Sequence, residues 1–152
     1  MWFASSVCGQ SFISDCYEDS LEIVSKGKVS KIQIEIAADP ISRATGLMFR
    51  EHLEPTSGML FIYEKPAPVM FWMKNTLIPL DIIFIDSFGK VIKIERNATP
   101  LSEALLKGGK DTQYVLELLA GQSDLLGIDI GTHIRHASIT NGGHSQCKPL
   151  AD

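Results

Sequence analysis

The chain has 152 residues, 45% of them apolar and 21% charged, with a formal net charge of −4. That is the length and composition of one globular domain, able to bury about 70% of the surface its unfolded chain exposes. No apolar run reaches the roughly 20 residues of a membrane-spanning helix. The acidic balance, with nothing more basic than the scatter Lys26, Lys28, Lys31, supplies no face for nucleic acid or for an anionic membrane.

Residues 1–30 read as an N-terminal extension. Its start is mildly apolar (Trp2, Phe3, Ala4, Val7, Phe12, Ile13) but lacks the Lys/Arg of a signal-peptide n-region. It is therefore either a plain extension or the remnant of a signal segment that begins upstream. Three cysteines, Cys8, Cys16 and Cys147, lie in the terminal segments without a C-x-x-C pair. That is no zinc site and no disulfide framework, and free thiols are the expectation over a Cys8–Cys16 bridge.

The β-rich domain is expected over residues 31–139. Lys31 to Ile36 alternates apolar and polar residues, the period of a half-buried strand. Asp39 then suits an N-cap and Pro40 the first helical position, so a helix is predicted from Pro40 to about Leu47. Ile41, Ala44, Leu47 and Met48 fall at helical spacing as its buried stripe. A loop follows to Gly58, then a strand from Met59 to Tyr63. Glu64 to Pro68 reads as a second loop, because Pro66 and Pro68 cannot pair in a sheet centre. Val69 to Met73 and Asp81 to Asp86 read as strands around a turn at 75–79.

Ser87-Phe88-Gly89-Lys90 is a hairpin turn, with Gly89 free to take positive φ, and Val91 to Arg96 is the partner strand. Asn97 to Asp111 reads as a long connection with a helical turn at Leu101–Leu106. Gln113 to Leu119 is a strand, Ser123 to Leu126 a helical turn, Asp129 to Thr132 a turn, and His133 to Ile139 a last strand. Residues 140–152 read as a disordered tail. About seven strands, one definite helix and no βαβ alternation give a mainly β fold with a short helix, built as a β-sandwich or partly open barrel.

Polar residues that interrupt apolar stretches are the candidates for chemistry. Asp81 opens an apolar strand and Glu117 interrupts another; a buried carboxyl there needs a hydrogen bond, a proton or a cation. Arg43, Arg50 and Lys74 are the available cations, Trp72 a stacking wall, and Asn75 a neighbouring polar group. Together these seven residues compose a candidate pocket for a small polar ligand; the alternative is an internal network of ion pairs and hydrogen bonds that fixes the 75–79 loop. Met48, Met59, Met70 and Met73 are gap-fillers rather than metal ligands. His133 and His136, three apart on a strand, face opposite sides and cannot share an ion. No nucleophile elbow and no phosphate loop is present, and no cofactor or metal is expected.

Three segments carry a family resemblance. They are Arg43-Ala44-Thr45-Gly46-Leu47-Met48-Phe49-Arg50 with Gly58-Met59-Leu60-Phe61; the long run Phe71 to Asp86; and Val115-Leu116-Glu117-Leu118 with Gly121, Gly127-Ile128 and Gly131. In this order and spacing, from about Lys31 to Ile139, the chain resembles domain of unknown function 192. The resemblance implies a compact, jelly-roll-like β fold and implies that many relatives are exported. A periplasmic or secreted location is then the expectation, with a cytoplasmic one as the alternative that the N-terminus leaves open. The resemblance brings no activity. The primary expectation is a non-catalytic binding module for a small polar ligand such as a saccharide or organic acid. The alternatives are a protein–protein interaction module using the Phe49–Leu53 loop, and a hydrolase-type enzyme using Asp81 and Glu117 as acid and base.

Overall fold

A computed structural model describes residues 14–15, 17–141 and 147–148. Among them are nine strands and two short helices. A two-residue strand, β1 (Ser14–Asp15), pairs in parallel with β9 (Cys147–Lys148). The other seven strands form one sheet in the order β6-β5-β7-β4-β3-β2-β8, curled into a half-barrel. They are β2 (Ser20–Ser25), β3 (Lys28–Ala37), β4 (Ser57–Phe71), β5 (Leu80–Asp86), β6 (Val91–Ala98), β7 (Leu106–Leu119) and β8 (His133–Arg135). All pairings are antiparallel except β3 with β4, which the short helix α1 (Pro40–Thr45) connects.

The sheet is apolar on both faces, which explains why β5 is buried along nearly its whole length. Alternate residues serve two cores. Leu21, Ile23, Ile32, Ile34, Leu60, Ile83, Ile85, Leu116 and Leu118 fill the first, together with Ile128, Ile134 and Ile139. Met59, Phe61, Phe71, Ile82, Phe84 and Val115 form the second, with Leu47, Leu53 and Met73 packed over them from the segments flanking α1 and following β4. Phe61, Phe71 and Phe84 meet edge to face there, with centroids 4.9 and 6.0 Å apart.

The β5–β6 hairpin forms as its turn residues predict: Gly89 sits at φ 84°, and the Asp86 carboxylate accepts from the Phe88 and Lys90 amides. Its tip reaches the far edge of the sheet. The Ile134 amide donates to the Gly89 carbonyl and the Val91 amide to the Thr132 carbonyl, so β6 and β8 are stitched together at one corner.

Several expectations change. Residues 20–25, read as part of an N-terminal extension, are a strand of the main sheet that pairs with β3 and β8. The loop expected at Glu64–Pro68 is the middle of one long strand, β4; the prolines act on the ladder instead, since β4–β7 pairing lapses between Ile62 and Ala67 and shifts again after Ala67. The Asn97–Asp111 connection shrinks to residues 99–105, because β7 begins at Leu106 and carries Gly108 and Gly109. Gly108 fits there because a Cβ would stand 2.3 Å from the Phe84 ring. β8 ends at Arg135 rather than Ile139.

Helix α1 starts as read: the Asp39 carboxylate accepts from the Ile41 and Ser42 amides, and Pro40 is its first residue. It has no buried stripe, and Ile41 is 79% exposed. Only Leu47, beyond the helix end, reaches the core. Cys8 and Cys16 lie outside the described residues, as does most of the tail beyond residue 141.

Candidate functional site

A cleft of about 410 Å³ opens between α1, with the turn after it, and the second face of the sheet. Four stretches of chain build it. The α1 side contributes Arg43, Ala44, Gly46 and Leu47; β4 contributes Phe61, Tyr63, Met70 and Phe71. Trp72 and Thr76 come from the turn after β4, Leu105 from the connection before β7, and Glu117 from β7. Gly46 takes φ 47°, and a Cβ on it would point at Phe61 Cζ, 3.1 Å away, and at Glu117 Oε2, 3.9 Å away. A side chain at position 46 would therefore intrude on the cleft.

Glu117 is the chemical centre of the cleft. Its neighbours across the ladder are Met59 of β4 and Ile82 of β5, both apolar. Its side chain is 4% exposed, and no described residue hydrogen-bonds its carboxyl. Burial away from water pushes its pKa up to about 8, because a low-dielectric site disfavours the charged form. At neutral pH it is mainly the protonated acid, with an O–H to give and a carbonyl oxygen to receive.

Two cations frame the cleft. Arg43 lies 4.9 Å over the Tyr63 ring, and its Nη1 donates to the carbonyls of Ala38 and Ile62. Lys74 Nζ lies 4.9 Å over the Trp72 ring and 3.6 Å from Glu103. Both are cation–π pairs that fix a positive charge beside an aromatic wall. The Tyr63 phenol is held above its usual range, chiefly by burial and against the pull of Arg43. The two threonine hydroxyls of the cleft are engaged locally: Thr45 donates to the Ile41 carbonyl and Thr76 to that of Lys74.

The turns around the cleft hold unusual backbone. Phe49, Asn75 and Leu101 have φ of 65°, 54° and 64°. For Phe and Leu this is a costly conformation, kept only where the surroundings impose it. The surroundings here are three tie bonds: the Phe49 amide to the Asn75 carbonyl, the Leu101 amide to that of Thr76, and the Met73 amide to that of Ser102.

The seven sequence candidates thus divide. Arg43, Trp72 and Glu117 line the cleft, and Lys74 stacks on Trp72 beside it. Asn75 stands behind, its amide 4.0 Å from Met48 Sδ. Arg50 turns away and forms an exposed two-pronged pair with Glu35, which holds the Glu35 carboxyl below its usual range.

Asp81 is on the other side of the sheet. Asp81 pairs with Leu118 and Ile82 with Glu117, so the two carboxyl groups project from opposite faces. Asp81 accepts from the Asn97, Gly121 and Ser123 amides and from the Ser123 hydroxyl at 2.6 Å. It is a structural clasp that holds the β6 end and the turn into α2 (Gln122–Leu125) against β5. An Asp81/Glu117 acid–base pair is therefore excluded by register. The Phe49–Leu53 loop divides as well: Phe49 is 68% exposed, whereas Leu53 is buried in the core. His136 is also buried, bonded to Ser138 and the Glu18 carbonyl, and burial lowers its pKa. No cluster of three metal-ligating side chains occurs among the described residues.

The cleft residues sequence reasoning missed are mostly apolar: Gly46, Phe61, Tyr63, Met70 and Leu105. Gly46 and Phe61 lie in the motifs Arg43–Arg50 and Gly58–Phe61, whereas Tyr63, Met70 and Leu105 carry no signal outside the fold.

Comparison with known proteins supplies kin. The sequence profile of domain of unknown function 192, described as an uncharacterized ACR, matches residues 21–136. A UPF0127 protein of Thermococcus sibiricus is 32% identical over 116 residues, spanning 72% of this chain and 69% of its own. A crystal structure of a proposed transcription regulator from Sinorhizobium meliloti 1021 superposes with a TM-score of 0.77 at 38% identity, over 82% of this chain and 98% of that one. A protein of unknown function from Novosphingobium aromaticivorans gives a TM-score of 0.73 at 36% identity, over 76% and 82%. By profile, sequence and fold alike, the chain belongs to the family of domain of unknown function 192.

Proposed function

We propose that this domain is a non-catalytic binding module whose receptor is the cleft between α1 and the sheet. The observation that carries the reading is Glu117: a largely buried carboxyl that no described residue hydrogen-bonds, opening onto the base of a cavity large enough for a small molecule. An unpartnered buried polar group costs roughly 1–3 kcal/mol. A ligand that supplies the missing bond recovers that cost, so the cleft is better satisfied when filled. The aromatic side chains of Phe61, Phe71 and Trp72 add contact area with few rotamers to freeze.

Regulation of transcription, the role proposed for the Sinorhizobium neighbour, is not adopted for this chain. A net charge of −4 without a Lys/Arg cluster offers no footprint for a phosphate backbone.

The test is a thermal-shift screen of the full chain against organic acids, sugars and nucleosides, repeated with Ala44→Trp. Ala44 is exposed and lines the cleft, so tryptophan there fills the space without disturbing the core. A ligand at about 100 times its Kd adds roughly 2.7 kcal/mol. A stabilising compound whose effect disappears in Ala44→Trp is the expected result. Stabilisation that survives the filled cleft, or a screen without any hit, overturns the reading.

A further inference from the structure

Resting on the cleft as a small-molecule site, we propose that its occupant is an apolar carboxylate or carbonyl compound. Its oxygen is received by Glu117 acting as a hydrogen-bond donor, and its body lies between the aromatic walls. Three features of the geometry select this class over an organic cation, the usual partner of a buried carboxyl among aromatic rings.

The first is the floor. Met59, Ile82 and Phe61 surround Glu117 and offer no acceptor, and no described residue takes its O–H. Of the three lining hydroxyls, those of Thr45 and Thr76 are committed to the Ile41 and Lys74 carbonyls, and the Tyr63 phenol lies under Arg43. No described residue accepts the Glu117 O–H, so an acceptor oxygen brought by a ligand completes the base of the cleft.

The second is the frame. The charges beside the cleft are Arg43 over Tyr63 and, at its rim, Lys74 over Trp72, the latter already paired with Glu103 at 3.6 Å. Arg43 is pinned by two backbone carbonyls through Nη1, which leaves Nε and Nη2 with no partner among the described residues. An entering ammonium meets the Arg43 guanidinium; an entering carboxylate or carbonyl meets its donors.

The third is the wall. Phe61, Phe71, Trp72, Leu47, Met70 and Leu105 make most of the lining apolar, which suits a ligand with one polar end. A saccharide, with hydroxyls on every side, would strand most of them.

The groups that titrate toward Glu117 are few. Arg43 from α1 and Tyr63 from β4 are the other ionisable side chains lining the cleft. The Tyr63 phenol is held above its usual range, so Glu117 is the lining carboxyl whose charge changes between pH 6 and pH 9.

The test uses three probes that share a ring and differ in the polar group: benzoate, benzamide and benzylamine. Each is titrated calorimetrically into the full chain at pH 6 and pH 9. Benzoate and benzamide are expected to bind at pH 6 and to bind about tenfold more weakly at pH 9. That factor is the fraction of Glu117 still protonated one unit above about 8. Glu117→Gln, which keeps a donor but cannot ionise, is expected to bind benzamide with no pH dependence, and Glu117→Leu to lose it.

Benzylamine binding preferentially, tighter at pH 9 and releasing a proton, would overturn the inference and leave the cleft as a binding site. Benzoate binding equally at both pH values would overturn it too. Absence of binding by all three probes, or binding unchanged in Ala44→Trp, overturns both the inference and the cleft.

Discussion

Asp81 and Glu117 lie almost back to back on adjacent strands, and they solve the burial of a carboxyl in opposite ways. Asp81 is 1% exposed and accepts four hydrogen bonds from three backbone amides and a hydroxyl. Glu117 is 4% exposed and accepts none. On one face of the sheet the carboxyl is consumed in holding the fold together; on the other it is left with its bonding capacity unspent. A polar group satisfied entirely by its own chain has nothing to offer a ligand. One that is largely buried and opens onto a cleft without a partner from its own chain has that capacity to offer a ligand.

The strongest blow to this comparison comes from truncating the clasp. Asp81→Ala leaves three amides and a hydroxyl unpaired, and urea denaturation should show a loss of about 3–5 kcal/mol. Asp81→Asn, which keeps one acceptor oxygen, should lose less. Equal losses would mean that the carboxyl acts by charge alone.

Glu117 predicts an effect of opposite character. Its folded-state pKa lies above the unfolded one, so the folded chain binds the proton more tightly. Its contribution is greatest in acid and is lost as pH rises from about 4.5 to about 8. Between pH 5 and pH 8 the difference is about 3 kcal/mol. Chemical denaturation across that range should show the decline in the wild type and its removal in Glu117→Gln. A parallel decline in both proteins would assign it elsewhere.

Packing on the Glu117 face sharpens the contrast further. Gly108→Ala puts a methyl 2.3 Å from the Phe84 ring, and overpacking of this kind costs roughly 1–3 kcal/mol. If stability barely changes, the second core is looser than the first. The smallest effect belongs to Arg50→Ala. Its pair with Glu35 is exposed, so the loss should stay below about 1 kcal/mol and ligand binding should not change. An altered affinity would return Arg50 to the site.

Much of this was legible in the residues. Alternation in Lys31–Ile36, the Asp39-Pro40 cap and the Ser87–Lys90 turn each encode local geometry, and each forms as read. Arg43, Trp72 and Glu117 were also singled out, and they share one cleft. The failures are non-local. Pro66 and Pro68 argued for a loop, but a strand that is unpaired at those positions satisfies the same constraint. β2 lacked a reason to be a strand until β3 and β8 were in place on either side. Opposite placement of Asp81 and Glu117 depends on the β5–β7 register, which neither strand carries alone. Ile41 matched a helical stripe, yet α1 has only six residues and its apolar position faces solvent.

The order of the sheet also sets a timetable for biosynthesis. Val24 pairs with His133 and Glu22 with Arg135, partners separated by about 110 residues. At roughly 5–20 residues per second, that outer edge of β2 waits on the order of 5–20 s after it is made before its neighbour exists. During this interval a strand that alternates Leu21, Ile23 and Ser25 with Glu22 and Val24 is open on one side to any passing partner. The glutamate in its centre, later matched by Arg135, gives the nascent edge a charge that discourages wrong company until the right strand arrives.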